Sequence, residues 1–386
     1  CGRVHRVHCF KPQQLIVSKT GLFFHITLLP SELSLSLCYQ PITSFSHPYH
    51  KATCMKITFF STQPYDKEFF IKGNTPYGFE FTFFETHLGP HIVQAVEPTG
   101  AICVFVNDKV TAAVIAVLAQ KGVKVIALRC AGFNNVDIEA AKAHQIHVCR
   151  VPAYSPEAVA EHALAMILTL NRKTHKAYNR VREQNFSLNG LLGFTLKGKT
   201  VGVIGTGHIG AAFCTIMAGM GCRVLAYDIQ TNPTPAAMGI TYLPLTQVLE
   251  QADIISLHCP LTPQTHHLIN PTTLQNMKKG AMLINTSRGG LIDTHAVIEA
   301  LKEHKLGYLG IDVYEQEEHI FFKDLSENII ADDTLQRLMA FPNVLVTAHQ
   351  AFFTKEALEE ITHITLNNVY ELLHHKNFTN QTALLV

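Results

Sequence analysis

The sequence predicts an α/β protein with two domains, each built around a parallel sheet. Its 386 residues match the length of two domains of ordinary size. Short runs rich in β-branched and aromatic residues alternate with stretches of helical periodicity, which is the order expected for parallel βαβ units. Many of these runs are apolar throughout, as expected for strands that are buried on both faces.

The first series of elements begins at Met55. Five runs in it are expected to be strands: Ile57–Phe60, Glu80–Phe84, Ile102–Val106, Val125–Leu128 and His147–Val151. Helical patterns lie between the strands, for example at Val110–Lys121 and Val136–His144. A long helix is then expected from Pro156 to about Arg182, since proline is tolerated in the first turn of a helix.

The second series begins after a loop at residues 186–198. Six runs in it are expected to be strands: Thr200–Ile204, Arg223–Asp228, Ile254–His258, Met282–Thr286, Leu309–Val313 and Val344–Thr347. The helical stretch Lys355–His374 closes the series. Both halves of the chain therefore predict an α/β domain.

The composition excludes several classes of protein. A net charge of +1 gives no general attraction to nucleic acid or to an anionic membrane. No apolar run reaches the roughly 18 residues that a membrane span needs. The ten cysteines include no C-x-x-C pair, so we expect no disulfide scaffold and no metal site, and the cytoplasm is the expected compartment.

Residues 1–54 differ in character from the remainder. They hold four of the ten cysteines, five basic residues and one acidic residue, without a clear helical or strand period. We expect them to be an extension that is disordered or does not belong to the native protein. A membrane-targeting arm is the alternative.

A glycine pattern at the start of the second series indicates a dinucleotide site. The segment Gly205-Thr-Gly-His-Ile-Gly210 is a G-x-G-x-x-G sequence that follows a predicted strand and opens a predicted helix. Asp228 lies 23 residues after Gly205, at the end of the next strand. In that context the glycines allow a tight turn against a pyrophosphate at the helix N-terminus. Asp228 would bind the ribose hydroxyls and repel a 2′-phosphate, so NAD is the expected cofactor.

Three kinds of polar side chain follow later strands of the same series. Arg288, Asp312 and His349 each come after a predicted strand, where ligands of open α/β sheets bind. An arginine fork binds a carboxylate, and a histidine can pass a proton to a developing alkoxide. This combination predicts hydride transfer with a 2-oxo or 2-hydroxy acid.

A carboxylate beside the histidine would raise the pKa of that histidine. Three glutamates, Glu315, Glu317 and Glu318, follow the strand that carries Asp312. Side-chain chemistry alone leaves open which of them pairs with His349.

The chain resembles the D-isomer-specific 2-hydroxyacid dehydrogenase family, and most closely its fermentative bacterial members. The resemblance runs from Met55 to nearly the C-terminus. Seven motifs in one order carry it: Leu128–Asp137, Val151–Pro156, Gly205–Gly210, Leu257–Thr262, Asn285–Gly290, Gly310–Glu317 and His349–Thr354. Residues 1–54 have no counterpart in the family, and the chain has no tryptophan.

The resemblance implies a role for individual residues. The catalytic residues would be Arg288, Glu317 and His349, which selects Glu317 among the three glutamates. The substrate would contact Ala131, Gly132, Tyr154, Phe105 and Phe352. The cofactor would contact Gly205, Thr206, Gly207, His208, Ile209, Gly210, Asp228, Pro260 and Thr286, with Asp312 near the nicotinamide.

The resemblance also implies an architecture and an activity. Residues 55–153 plus 353–386 would form a flavodoxin-like catalytic domain, and residues 154–352 an NAD-binding Rossmann domain. Both would be doubly wound, with the active-site cleft between them. The implied reaction is reversible hydride transfer from NADH to pyruvate, giving D-lactate, in a homo-oligomer (a dimer or tetramer) that binds neither nucleic acid nor membrane.

Two alternatives remain open at this point. A related enzyme with a bulkier 2-oxo acid as its substrate would share all the motifs. An NAD-sensing, corepressor-like binding protein would share the fold, since one fold can host both roles.

Overall fold

The computed structural model describes residues 55–386. The predicted extension at residues 1–54 lies outside the described residues. Across the described part of the chain, no helix is both long enough and apolar enough to span a membrane.

The first sheet has five parallel strands in the order β2-β1-β3-β4-β5. They are β1 (Lys56–Phe59), β2 (Glu80–Phe83), β3 (Ala101–Val104), β4 (Val125–Leu128) and β5 (His147–Cys149). The helices of this part are α1 (Pro64–Gly73), α2 (Ala112–Gln120) and α3 (Ile138–Ala143). The strand order is that of a flavodoxin-like sheet.

The second sheet has seven parallel strands in the order β12-β11-β10-β9-β6-β7-β8. They are β6 (Thr200–Ile204), β7 (Arg223–Tyr227), β8 (Thr241–Tyr242), β9 (Ile254–Leu257), β10 (Ala281–Asn285), β11 (Leu306–Ile311) and β12 (Val344–Val346). The order reverses between β6 and β9, so a crevice opens at the carboxyl ends of these two strands, where ligands of doubly wound sheets bind. The predicted fold class, with two doubly wound parallel sheets, is confirmed.

The helices of the second half connect and cover these strands. They are α4 (Pro156–Arg172), α5 (Thr174–Arg182), α6 (His208–Gly219), α7 (Pro233–Ala237), α8 (Leu245–Gln251), α9 (Pro271–Asn276), α10 (Thr294–Lys302), α11 (Asp333–Ala340) and α12 (Lys355–Leu373). Helix α4 packs against α6 and against β10 and β11. Helix α12 returns to the first half and packs against α1 and β4.

The single helix predicted from Pro156 to Arg182 is wrong in one respect, because it breaks at Lys173. That residue adopts a left-handed conformation with φ of 51°, and its ammonium group donates to the carbonyl oxygens of Gly190 and Leu192. Helix α4 buries one face along its length, whereas α5 buries no residue. The packing that holds α4 straight therefore ends where α5 begins.

The end of the chain closes the first sheet. Cys149 at the end of β5 forms an antiparallel bridge with Leu384, and the amide of Arg150 donates to the carbonyl of Ala383. The five strands of the first sheet fall within the predicted segment 55–153, and the seven of the second within 154–352. The exact limits of the two domains stay a prediction.

Candidate active site

The glycine turn after β6 is held by close backbone contacts. Gly205 has φ of +91°, and a Cβ atom there would lie 2.5 Å from the amide nitrogen of Cys259. A Cβ atom on Gly210 would lie 2.0 Å from the carbonyl oxygen of Gly205. Both positions therefore require glycine for the fold itself. A Cβ atom on Gly207 would meet nothing within 4 Å, so the protein alone does not require glycine there.

Asp228 is tied to the same turn. Its Oδ2 atom accepts hydrogen bonds from the amide and the hydroxyl of Thr206, at 2.5 and 2.9 Å. Burial alone would raise the pKa of the Asp228 carboxyl, but these bonds and amide donors of the next turn hold the pKa below its ordinary value. Asp228 is therefore ionised at neutral pH.

These features fit a bound dinucleotide. Helix α6 begins directly after Gly207 without a side-chain cap, so its first amides are available to an anion. The hydroxyl of Thr286 is buried and has no hydrogen-bond partner among the described residues. It faces the same cavity as Gly207, His208 and Ile209, where a ligand would supply the missing partner.

A cavity of about 450 Å³ collects most of the predicted site residues. Its lining includes Ala131, Gly132, Tyr154, Gly207, His208, Ile209, Pro260, Thr286, Arg288, Asp312, His349 and Phe352. The other predicted residues, which do not line it, are Gly205, Thr206, Gly210, Asp228, Glu317 and Phe105. Of these, Gly205, Thr206 and Gly210 belong to the glycine segment itself, Asp228 is hydrogen-bonded to Thr206, and Glu317 contacts His349.

Arg288 lies at the carboxyl end of β10 and reaches toward the first half of the chain. A Cβ atom on Gly132 would lie 2.8 Å from one of its terminal nitrogens, so a larger residue there would push the guanidinium group out of its present position. Another terminal nitrogen donates to the carbonyl of Ser287 at 2.7 Å. Arg150 fixes the facing loop by donating to the carbonyl of Ala131 at 2.8 Å.

His349 is paired with Glu317. Its Nδ1 atom lies 2.7 Å from Oε1 of Glu317, and the other carboxylate oxygen accepts from the amide of Tyr314 at 2.9 Å. The second ring nitrogen, Nε2, is left for the cavity that His349 lines. Both side chains are mostly buried, with 18 and 17% exposure, which restricts the orientation of the imidazole.

The neighbouring glutamates have different partners. Glu315 lies 2.8 Å from Nε2 of His267, and Glu318 lies 2.7 Å from the ammonium group of Lys109. Of the three glutamates, Glu317 is thus the one in contact with His349.

Asp312 holds the backbone around His349 in place by hydrogen bonds, a role that the sequence did not indicate. It is fully buried, and its carboxylate accepts from the amides of Gln350 and Ala351, both at 2.9 Å, and from the hydroxyl of Thr347. Its main-chain carbonyl accepts from the amide of His349 at 2.7 Å. The side chain that was expected near the nicotinamide therefore anchors the segment that carries His349.

His162, on α4, was not singled out from the sequence. Its Nε2 atom lies 3.4 Å from Oδ1 of Asp312 and 3.2 Å from the hydroxyl of Thr347. Burial opposes ionisation of Asp312, but hydrogen bonds from His162, Thr347 and the two amides hold the pKa of its carboxyl below the ordinary value. Nothing in the local sequence marks His162, because the contact depends on how α4 packs against β11 and β12.

His258 also lines the cavity and was missed as a site residue, although it belongs to a quoted motif. Its Nε2 atom lies 2.9 Å from the hydroxyl of Ser256, and its ring packs 4.9 Å from that of Phe213. Burial lowers the pKa of His258, so it presents a neutral ring beside the glycine turn.

The aromatic residues predicted around the substrate form two layers. Tyr154 and Phe352 line the cavity, with ring centroids 6.4 Å apart. Phe105 lies behind Phe352, at 6.1 Å, and also contacts Phe322 at 5.5 Å. Phe105 therefore supports the wall of the cavity and is not part of its surface.

The family model "D-isomer specific 2-hydroxyacid dehydrogenase, NAD binding domain" matches residues 164–351. D-lactate dehydrogenase of Escherichia coli is 51% identical over 318 residues, covering 82% of this chain and 97% of that protein. 2-Hydroxyacid dehydrogenase homolog 1 of Schizosaccharomyces pombe is 52% identical over 324 residues, covering 84% and 98%. The structure of D-lactate dehydrogenase from Aquifex aeolicus with NAD and lactic acid aligns with a TM-score of 0.77 at 33% identity, covering 86% and 99%.

Identity near one half, over nearly the full length of these relatives, accompanies a fold and a glycine turn suited to a dinucleotide. The chain belongs to the family of D-isomer-specific, NAD-dependent 2-hydroxyacid dehydrogenases.

Proposed function

We propose that this protein is a D-lactate dehydrogenase that reduces pyruvate to D-lactate with NADH, reversibly. The observation that carries the proposal is one cavity lined by Arg288, by the His349 that Glu317 holds, and by the first residues of α6. The similarity to D-lactate dehydrogenases over most of the chain supports the same substrate.

Arg288 is proposed to bind the substrate carboxylate. Its guanidinium group lies against Gly132, where the loop of Ala131 and Gly132 is held by Arg150. A carboxylate between this loop and the arginine would be fixed in orientation by a charge-assisted fork. The 2-oxo group next to the carboxylate would then point into the cavity.

His349 is proposed to donate the proton to the developing alkoxide, and to accept it in the reverse direction. Glu317 orients the ring through Nδ1, which leaves Nε2 to act on the substrate oxygen. Bound NADH would supply the hydride to the carbonyl carbon. The neutral His258 would also contact the cofactor. So would the hydroxyl of Thr286, which has no hydrogen-bond partner among the described residues.

The preference for NADH over NADPH is proposed to depend on Asp228. Its carboxylate is ionised and fixed by Thr206, so a 2′-phosphate would meet a negative charge that cannot rotate away. Fluorescence titration with NADH and NADPH should show much tighter binding of NADH. Equal affinities would contradict this assignment.

The proposed reaction is tested by following NADH oxidation with pyruvate in the wild type and in His349→Ala. We expect turnover in the wild type and a loss of roughly 10²- to 10⁴-fold in kcat in the variant, the usual contribution of a positioned acid or base. NADH binding should persist in the variant, because His349 is not part of the glycine turn. Wild-type turnover that His349→Ala leaves unchanged would exclude the proposed role of His349.

A related enzyme with a bulkier substrate is the second candidate, since the wall formed by Tyr154 and Phe352 is apolar. One added methylene changes the preference of such a pocket by only about 1–3 kcal/mol. We expect kcat/KM for pyruvate to exceed that for phenylpyruvate and 2-oxoisocaproate. The opposite order would replace the lactate assignment, and formation of L-lactate would contradict the D configuration.

The homo-oligomer and the cytoplasmic location also remain proposals. Five exposed apolar side chains follow α4, on α5 and the adjoining loop: Tyr178, Val181, Phe186, Leu188 and Leu192, with 49 to 86% exposure. Such a group of apolar residues suits a contact between subunits. Light scattering on the purified protein would give the number of subunits.

The six cysteines of the described part are all free, which agrees with a reducing compartment.

A further inference from the structure

We propose that His266, His267 and Glu315 form a zinc-binding site on the surface beside the active-site cavity. One possible ligand atom from each residue lies within 4.8 Å of the other two. Nε2 of His267 is already 2.8 Å from Oε1 of Glu315. The two imidazole rings are stacked, with centroids 3.9 Å apart.

The ligand types select the metal. Two imidazole nitrogens and a carboxylate oxygen suit zinc and similar divalent transition metals, whereas magnesium and calcium prefer oxygen alone. Three protein ligands and one water would complete a tetrahedral site. In such a site the ligand atoms lie about 3.4 Å apart, given metal–ligand bonds of about 2.1 Å. The three atoms now lie within 4.8 Å of one another, with one pair at 2.8 Å, and rotation of the partly exposed side chains would bring them to this geometry.

The backbone that carries the three residues is fixed in place. The amide of His267 donates to the carbonyl of Gly290 at 2.9 Å. The turn with Glu315 packs directly on Gly289, where a Cβ atom would come within 2.4 Å of the Glu315 nitrogen. Both segments are thus held against the same loop, and little chain entropy would be lost when a metal joins them.

The site is separate from the residues proposed to act on the substrate. Glu315 has no contact with His349, which Glu317 holds. The metal would join the segment that follows Thr262 to the turn that precedes Glu317. A bound ion would therefore act as a cross-link between these two segments, and would stabilise the folded state by mass action because it binds that state selectively.

The test is equilibrium dialysis of the full-length protein against zinc alone, with each sample's thermal unfolding midpoint measured with and without zinc. Two site variants are used, His266→Ala and Glu315→Gln. The matched control is His144→Ala, which removes an exposed histidine at the end of α3, beside the first sheet. The difference between variants and wild type isolates this site from zinc bound by other histidines or by cysteines. Because this comparison needs no substrate, it is independent of the proposed reaction.

We expect the wild type and His144→Ala to bind one more equivalent of zinc than either site variant. Affinity at the site should fall by more than about tenfold in the variants, since even loss of a residue that only orients a ligand costs that much. Zinc should raise the unfolding midpoint of the wild type and of the control by more than that of the site variants. Either site variant binding zinc as the wild type does, with the same shift in midpoint, would overturn the proposal. If one site variant fails to fold, the other decides.

Discussion

At the scale of single residues, the glycine turn separates what the fold requires from what the cofactor requires. We expect Gly210→Ala to lower the free energy of unfolding and to abolish NADH binding, because its Cβ would overlap the carbonyl oxygen of Gly205. Gly207→Ala has open space around its Cβ, so its stability should stay within about 0.5–1 kcal/mol of the wild type. Its NADH affinity should nevertheless fall.

Urea unfolding and NADH fluorescence titration of the two variants would check this pair. Unchanged NADH affinity in a folded Gly207→Ala would show that the cofactor does not approach that backbone. The same result would remove the main support for the pyrophosphate position.

Residue chemistry alone could identify an arginine, a histidine and an acid, and the structure brings Arg288 and His349 to one cavity. Residue chemistry could not select the partner of His349 among Glu315, Glu317 and Glu318, because a carboxylate at any of these positions has the same chemistry. The path of the turn from Tyr314 decides which one reaches His349. The family resemblance had pointed to Glu317, and the contact is consistent with that prediction.

At the scale of elements, the segment after β12 depends on one buried carboxylate. Asp312→Asn should lower the free energy of unfolding at neutral pH by about 2–3 kcal/mol, the contribution of hydrogen bonds to a charged acceptor. It should also reduce turnover, because His349 lies between Thr347 and Gln350, whose hydroxyl and amide both donate to Asp312. The exposed Asp333→Asn serves as the control, with an expected change below about 1 kcal/mol.

The same carboxylate predicts a dependence of stability on pH. The folded pKa of Asp312 lies below its unfolded value, so its stabilisation is complete above the unfolded pKa and is lost as pH falls through the folded one. The wild type should therefore lose stability below about pH 4, and this component should be missing in Asp312→Asn. Identical pH profiles for the two proteins would contradict the assignment.

Strand positions were predictable to within a few residues because buried parallel strands are short and apolar. The exceptions have physical causes. β8 has only two residues, too few to show any period. The break at Lys173 leaves no mark in the sequence, since lysine is a good helix former and the break follows from where the packing of α4 ends.

At the scale of the whole molecule, the C-terminal residues connect the first sheet to the loop of Ala131 and Gly132, which we propose contacts the substrate. Deleting residues 383–386 removes four main-chain hydrogen bonds to Val148 and Arg150 and leaves empty the buried site that Ala383 fills. We expect a loss of about 2–4 kcal/mol of stability, at about 1 kcal/mol for each bond. KM for pyruvate should rise, because Arg150 also holds the Ala131 loop.

Deleting Val386 alone removes the two bonds that it makes with Val148 and leaves the other two, so it should have a smaller effect on both quantities. Chemical unfolding and steady-state kinetics of the two truncated proteins would measure the gradation. Equal effects of both deletions would contradict the predicted gradation. A change in stability without a change in KM would show that the C-terminal residues do not act on the loop of Ala131 and Gly132. This connection spans more than 200 residues of sequence, and no local pattern predicts it.

The turn from Tyr314 to Glu318 distributes three carboxylates among three basic partners in different parts of the molecule: His267, His349 and Lys109. The position of each glutamate along this turn therefore determines its basic partner, since the three carboxylates are chemically alike. Deleting Gln316 would leave every acidic and basic residue in place, yet it would offer His349 the wrong carboxylate. The charge would be preserved while His349 lost its contact with Glu317, so we expect this segment to tolerate substitution at Gln316 better than a change in its length.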